Sequence, residues 1–160
     1  MSSHDSIESM VQAYAERAVE TARQLDSQLD YSENSLMELE TILEQLALEL
    51  KHNGLQSNGL PSNDPQGGAA PSAEAVSDLA EASKVWGCYL GEVVRKRFGG
   101  DWSVETYPGK QFATLTLTVK GSKLFPSMKV HRRLTEGEAD NVWTFFKMVK
   151  ARLEAAPKVQ

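Results

Sequence analysis

The chain has 160 residues, of which 41% are apolar and 24% are charged, and these values are typical of one soluble globular domain. Its single cysteine excludes an internal disulfide and a cysteine-based zinc site. No apolar run approaches the roughly 20 residues that a membrane-spanning helix needs. The first residues carry acids and no apolar core, so we expect no secretory signal and a protein of the bacterial cytoplasm.

The net charge of −5 is unevenly distributed along the chain. Residues 1–51 hold 11 acids and 3 bases, whereas residues 73–160 hold 10 acids and 14 bases. Within residues 92–133 there are 9 bases and 3 acids. Because opposite charges attract, we expect the acidic part to dock on the basic part, within one chain or across a homodimer.

The first 52 residues show two amphipathic helical patterns. The first predicts a helix over about residues 5–29, and the second carries a leucine stripe that ends at an Asn-Gly pair. Ser32 suits the N-cap of the second helix, while Ser35 with Glu38 has capping-box spacing and offers a competing start. We predict that residues 1–52 form an acidic helical hairpin within the same domain as the rest. The leucine stripe consists of Leu36, Leu39, Leu43, Leu46 and Leu50.

Residues 53–72 have no periodic apolar pattern. They contain 4 glycines, 3 prolines and one charged residue. Twenty residues without structure are unusual inside a compact domain. We therefore predict a flexible linker or a long mobile loop.

Residues 73–156 carry signals for a helix, three strands and a final helix. An apolar face continues to about Arg97, where a Gly-Gly pair ends the helix. Strand patterns follow over residues 102–107 and 112–119, separated by a Pro-Gly turn. We interpret residues 123–134 as a third strand, interrupted because Pro126 cannot donate to a ladder.

The final helix completes the set of elements that defines the predicted fold class. Thr135 and Glu138 have capping-box spacing before an apolar stripe that extends to Leu153. The predicted class is α+β: an N-terminal helical hairpin, a helix, a small three-stranded antiparallel sheet and a C-terminal helix. Trp86 and Trp143 lie on the apolar stripes of their helices and are predicted core residues.

Glycines mark the junction between the third helix and the sheet. Gly87 and Gly91 lie four residues apart on one helix face, where a missing side chain lets another element approach closely. Gly99 and Gly100 let the chain reverse into the sheet.

Three pieces of the sequence resemble a family of small uncharacterised bacterial proteins. They are LDYSENSLMELETIL, YLGEVVRKRFGGDW and LFPSMKVHRRLTEGEADNVWTFF. The family pattern has an Asp-Tyr-Ser-x-x-Ser-Leu helix start, a Gly-Glu-Val-x-Arg helix end with Gly-Gly-x-Trp, and a proline before a Lys-Val strand. The resemblance implies that residues 30–50 and 73–155 share one domain. It implies no reaction, cofactor or catalytic residue.

Glu92 and Arg95 form the first candidate site. They lie three residues apart on the third helix, so their side chains share a face. In one interpretation they form a polar spot beside Trp86 and Trp102 that receives a ligand or a partner. In the other, Glu92 is half-buried and binds a backbone amide or a base of the sheet.

The predicted third strand supplies a second set of candidates. Lys129, His131 and Arg133 alternate on one of its faces and join the bases at 95–97 in a basic patch. Trp102 and two further aromatic residues could stack nucleic-acid bases beside that patch. The overall acidity of the chain argues against nucleic acid, and a solvated sheet face is the alternative.

No motif specifies a reaction. The three histidines lack metal-ligand spacing, the serines lack a Gly-x-Ser-x-Gly elbow, and no base is placed near Cys88. We therefore expect no catalytic residue, no metal and no cofactor. The leading hypothesis is a non-catalytic protein-interaction factor of the accessory, adaptor or immunity type, with another protein as its partner. The alternatives are a small ligand-binding protein or enzyme with its site near Glu92 and Arg95, and a weak nucleic-acid binder that uses residues 92–133.

Overall fold

The structure, a computed structural model, describes residues 3–52 and 73–155 and is an α+β fold, as predicted. The linker predicted at 53–72 lies outside the described residues. The described helices and strands are α1 (Ser3–Gln24), α2 (Ser35–His52), α3 (Ala73–Phe98), β1 (Asp101–Thr106), β2 (Ala113–Val119), β3 (Ser122–Leu124), α4 (Pro126–Glu136), a 3₁₀ turn (Glu138–Asp140) and α5 (Val142–Ala155).

The sheet is antiparallel, with β2 between β1 and β3. Trp102 pairs with Leu117, and Leu117 also pairs with Leu124 across the other strand. Residues directly opposite each other share a face, so these side chains lie on one side of the sheet. Trp102 and Leu117 are buried there, and Thr116 lies on the opposite face, where it is buried as well. The alternation of threonine and apolar residues therefore gave the correct strand and its inner face.

Helix α3 is the central helix, and its two glycines set how closely other elements approach. A Cβ atom on Gly87 would lie 2.5 Å from the Cα atom of Ser127 at the start of α4. A Cβ atom on Gly91 would lie less than 3.0 Å from the indole ring of Trp102. The predicted role of this glycine pair, close approach on one helix face, is confirmed.

The two N-terminal helices pack on different parts of the molecule. Helix α1 packs mainly on α3, while α2 packs mainly on α4 and α5. Leu36, Leu39 and Leu43 of α2 are fully buried. Glu33, just before α2, pairs with Lys150 of α5 at 2.9 Å. Acidic α2 therefore docks on the basic part within the same chain.

Ser32 caps α2, and Ser35 has another role. The Oγ atom of Ser32 accepts a hydrogen bond from the Ser35 amide at 3.2 Å. The Ser35 hydroxyl donates to the Ser32 carbonyl at 2.6 Å and bonds the Tyr89 hydroxyl at the same distance. Tyr89 also accepts the amide of Tyr31 at 2.8 Å, so this buried tyrosine anchors the start of α2 to α3.

The prediction of a long third strand over residues 123–134 was wrong. Strand β3 covers only three residues, and helix α4 begins at Pro126. Proline suits the first turn of a helix, because the amide it lacks has no intrahelical partner there. Val130 and Leu134 then lie four residues apart and are both buried, as helical spacing requires.

The predicted start of the last helix, at the Thr135 and Glu138 capping box, was also wrong. Thr135 lies inside α4, where its hydroxyl donates to the His131 carbonyl at 2.9 Å. Helix α5 begins at Val142, and Asn141 caps it by accepting the Thr144 amide at 3.0 Å. Of the two tryptophans predicted in the core, Trp86 is buried. Trp143 is half-buried and packs against the edge of the core.

Candidate functional site

Glu92, Arg95 and Trp102 form one bonded cluster. One oxygen of Glu92 accepts Nε of Arg95 at 2.5 Å and Nε1 of Trp102 at 3.0 Å. The other accepts Nη2 of Arg95 at 3.0 Å. Glu92 is only 3% exposed and Trp102 is 1% exposed. The predicted pair between Glu92 and Arg95 is present, but Trp102 is a core residue and cannot stack on a partner.

The bonds to Glu92 fix its charge. Burial raises the pKa of this carboxyl, but the hydrogen bonds from Arg95 and Trp102 outweigh burial, and the net pKa lies below its usual value. A carboxylate that is ionised at neutral pH and has both oxygens occupied by hydrogen bonds is a poor general base. The cluster braces α3 against β1, and Gly91 provides the space for the indole ring.

Helix α4 places His131 on a different face from Lys129 and Arg133, which lie four residues apart and share a side of the helix but bind different acids. Lys129 donates to Asp140 at 3.0 Å, while Arg133 pairs with Glu40 at 2.6 Å. His131 lies between them in sequence, on another side of the helix. It is partly buried, and this burial lowers its pKa. These side chains therefore do not form a basic patch with Arg95.

A buried cluster that the sequence did not predict joins α2, α4 and α5. Glu40 accepts Nε of Arg133 at 2.8 Å, and its other oxygen accepts the Val142 amide at 3.1 Å. Arg133 is 3% exposed, so the pair is shielded from water. Recognising Pro126 as a helix start would have placed Arg133 on the face that α2 covers.

An open groove lies among α1, α2 and α3, and we call it the three-helix groove. Its volume is about 500 Å³, within the roughly 300–1,000 Å³ of typical ligand pockets. Apolar side chains from α2, α3 and the turn after α1 line it, including Leu25, Ile42, Leu46, Val85 and Trp86, while α1 itself contributes the polar side chains of Arg17 and Thr21. Sequence periodicity placed Leu25, Leu46 and Trp86 on apolar stripes, but it did not single out Val85 and could not show a gap between the helices.

The rim of the three-helix groove is mostly acidic. Glu49, Asp78 and Glu81 lie on it together with one base, Arg17. Arg17 pairs with Glu81. Glu49 and Asp78 make no ion pair with any residue whose side chain the structure describes, residues 6–52 and 77–155. The groove therefore combines an apolar lining with a net negative edge.

A smaller depression of about 250 Å³ lies between α2 and the end of α4. Leu48, Lys51 and Glu136 are among its lining residues. It offers half the volume of the three-helix groove, and neither depression is lined by Glu92 or Arg95.

Other chemistry finds little support in the described part of the chain. Burial raises the pKa of Cys88 to about 12, so its thiol stays protonated at neutral pH. Among the residues that the structure describes, no group of three or more His, Cys, Asp or Glu side chains is placed to hold a metal ion. None of the described helices has the length and apolarity that crossing a membrane requires.

No protein-family model, no curated protein and no solved structure matches this chain. The resemblance to a family of small bacterial proteins therefore stays a prediction.

Proposed function

We propose that the protein is a non-catalytic interaction factor that binds a segment of another protein in the three-helix groove. The supporting observation is an apolar lining that stays open to solvent, with Leu25 at its edge 57% exposed. Apolar patches that a soluble protein leaves open commonly mark interaction sites. The proposal places the protein in the bacterial cytoplasm, a reducing compartment that suits a single buried, free cysteine.

The alternative site near Glu92 is less favoured by its contacts. Both oxygens of Glu92 are bonded inside the fold, and its pKa is lowered by those bonds. The described lining of the three-helix groove includes no histidine or cysteine that could act as a base or nucleophile. These contacts favour binding over chemistry.

Capture of a native partner tests the proposal with a matched pair of variants. Leu25→Gln places a polar group on the groove, while Met148→Gln alters a comparably exposed residue, 67% exposed on α5. Because both side chains are exposed, both substitutions should change stability by at most about 0.5 kcal/mol. Wild type and Met148→Gln should capture the same partner from a host lysate, and Leu25→Gln should lose it.

The outcomes separate the groove from the rest of the surface. Equal capture by all three chains would move the interface elsewhere and reject the proposal. A small apolar ligand is the second candidate, because the groove volume suits one. Native mass spectrometry of the protein from its host would then show a bound small molecule that Leu25→Gln loses.

A further inference from the structure

The charges on the three-helix groove indicate what kind of segment fits it. Glu81 is paired with Arg17 at one side. Glu49 of α2 and Asp78 of α3 face the groove without an ion pair from the described residues. Charged groups at the rim of an interface select partners of the opposite sign and speed their association.

The dimensions of the groove suit a short helix. The α2 residues that border it run from Thr41 to Glu49, which corresponds to about 12 Å or roughly two helical turns. A groove with an apolar lining is the setting in which an amphipathic helix binds through side chains at i, i+3, i+4 and i+7. Such a helix buries an apolar face on Leu46 and Trp86 and carries its polar residues toward the rim.

We propose that the occupant of the three-helix groove is a short amphipathic helix of a partner protein, with lysine or arginine residues flanking its apolar face. This inference rests on the proposed function and specifies the chemistry of the partner. The apolar face provides the contact with the floor, and the flanking bases pair with Glu49 and Asp78.

A segment of this chain is a weaker occupant. Residues 53–72 join α2 to α3, but they contain 4 glycines, 3 prolines and neither lysine nor arginine. Proline and glycine disfavour a helix, and the absence of bases leaves Glu49 and Asp78 unpaired. Helices α1 and α2 of a second copy would add acids to an acidic rim, since residues 1–51 hold 11 acids and 3 bases.

Fluorescence anisotropy with two designed peptides tests the proposal. Each is a labelled helix of about 15 residues, near the minimum for helicity in water, with leucines on one face. One carries lysines beside the leucines, and the other carries glutamates at the same positions. The lysine peptide should bind the full chain, and the glutamate peptide should bind at least about tenfold more weakly.

Neutralising the rim provides a matched comparison. Glu49→Gln with Asp78→Asn should weaken binding of the lysine peptide about five- to tenfold at low salt, and added salt should shrink the difference. Glu38→Gln with Asp101→Asn removes the same charge from exposed positions that do not line the groove, and should change binding less than about twofold.

Several results would overturn the inference. Equal binding of both peptides rejects a basic partner, and no binding of either at about 1 mM rejects a helix. More than about tenfold tighter peptide binding after Leu55→Ser with Leu60→Ser makes residues 53–72 the occupant. Self-association that Leu25→Gln abolishes makes a second copy the occupant. The capture experiment judges the proposed function separately, because Leu25→Gln can lose a native partner of any charge.

Discussion

Replacing Gly91 with alanine tests the central packing of the fold. The added Cβ would lie less than 3.0 Å from Cη2 and Cζ2 of Trp102. Trp102 is buried and bonded to Glu92, so its ring cannot swing away without breaking that bond. The substitution therefore sets the helix preference of alanine against a steric overlap in the core.

The two effects have opposite signs and different sizes. At an unobstructed helix position, glycine to alanine stabilises a protein by about 1 kcal/mol. Overpacking a core costs about 1–3 kcal/mol, and an overlap with a buried indole lies near the upper end. We therefore expect Gly91→Ala to lower the free energy of unfolding by about 2 kcal/mol, measured by urea denaturation with circular dichroism.

A second substitution should reverse the sign of the first. Trp102→Phe removes the Cζ2 and Cη2 atoms that the new methyl group would meet, at the cost of a cavity and the lost bond to Glu92. In the Trp102→Phe background the close contact that remains is Pro126 Cγ at 3.1 Å, so Gly91→Ala should stabilise the chain by less than about 1 kcal/mol. The coupling between the two sites would then reach about 2–3 kcal/mol.

Two results of this double-mutant cycle would contradict the packing of Gly91 against Trp102. If Gly91→Ala raises the free energy of unfolding in the wild-type chain, the glycine faces open space and the close packing of α3 on β1 is wrong. If the effect of Gly91→Ala is the same in both backgrounds, its cost does not come from Trp102.

Three further predictions concern charges and the core. Glu40→Gln should cost about 3–5 kcal/mol, because it leaves Arg133 charged and buried, whereas the exposed control Glu44→Gln should cost under about 0.5 kcal/mol in the same denaturation assay. Leu43→Asp should unfold the chain or release α2, since it buries an unpaired carboxylate; a native amide spectrum by NMR would contradict this. The pKa of Glu92 is lowered on folding, because its hydrogen bonds outweigh burial, so its stabilisation is present above the ordinary value of 4.5 and is lost as pH falls through the folded pKa. Glu92→Gln should therefore flatten the acid side of the stability profile, and an unchanged slope below pH 5 would show that Glu92 does not contribute.

Local sequence signals predicted most of the fold because each carries its own physical cause. Four of the five leucines in the α2 stripe are buried, and the alternation in β2 has the period of a strand. The prediction for the segment after β3 was wrong. Over so few residues, the alternating bases and apolar residues around Val130 suit either a strand or a helix. Pro126 decides between them, and it starts a helix here instead of interrupting a strand.

The candidate site was harder to predict, because its residues meet only through packing. The pair of Glu92 with Arg95 follows from spacing within one helix. Glu40 and Arg133 lie 93 residues apart, so only the docking of α2 on α4 brings them together. The three-helix groove is a gap between apolar faces, and a gap has no signature in the sequence of any single helix.

The uneven charge of the sequence has two separate consequences in the structure. Glu33 and Glu40 are bonded to bases of the same chain, so part of the negative charge holds α2 in place. Glu49 and Asp78 are left facing the groove without an ion pair from the described residues. Charge that docking does not neutralise stays available to a partner, and it lies beside the apolar surface that helix packing leaves open. The charges that stabilise the fold and those proposed to bind a partner therefore lie at different positions, and substitutions can separate the two roles.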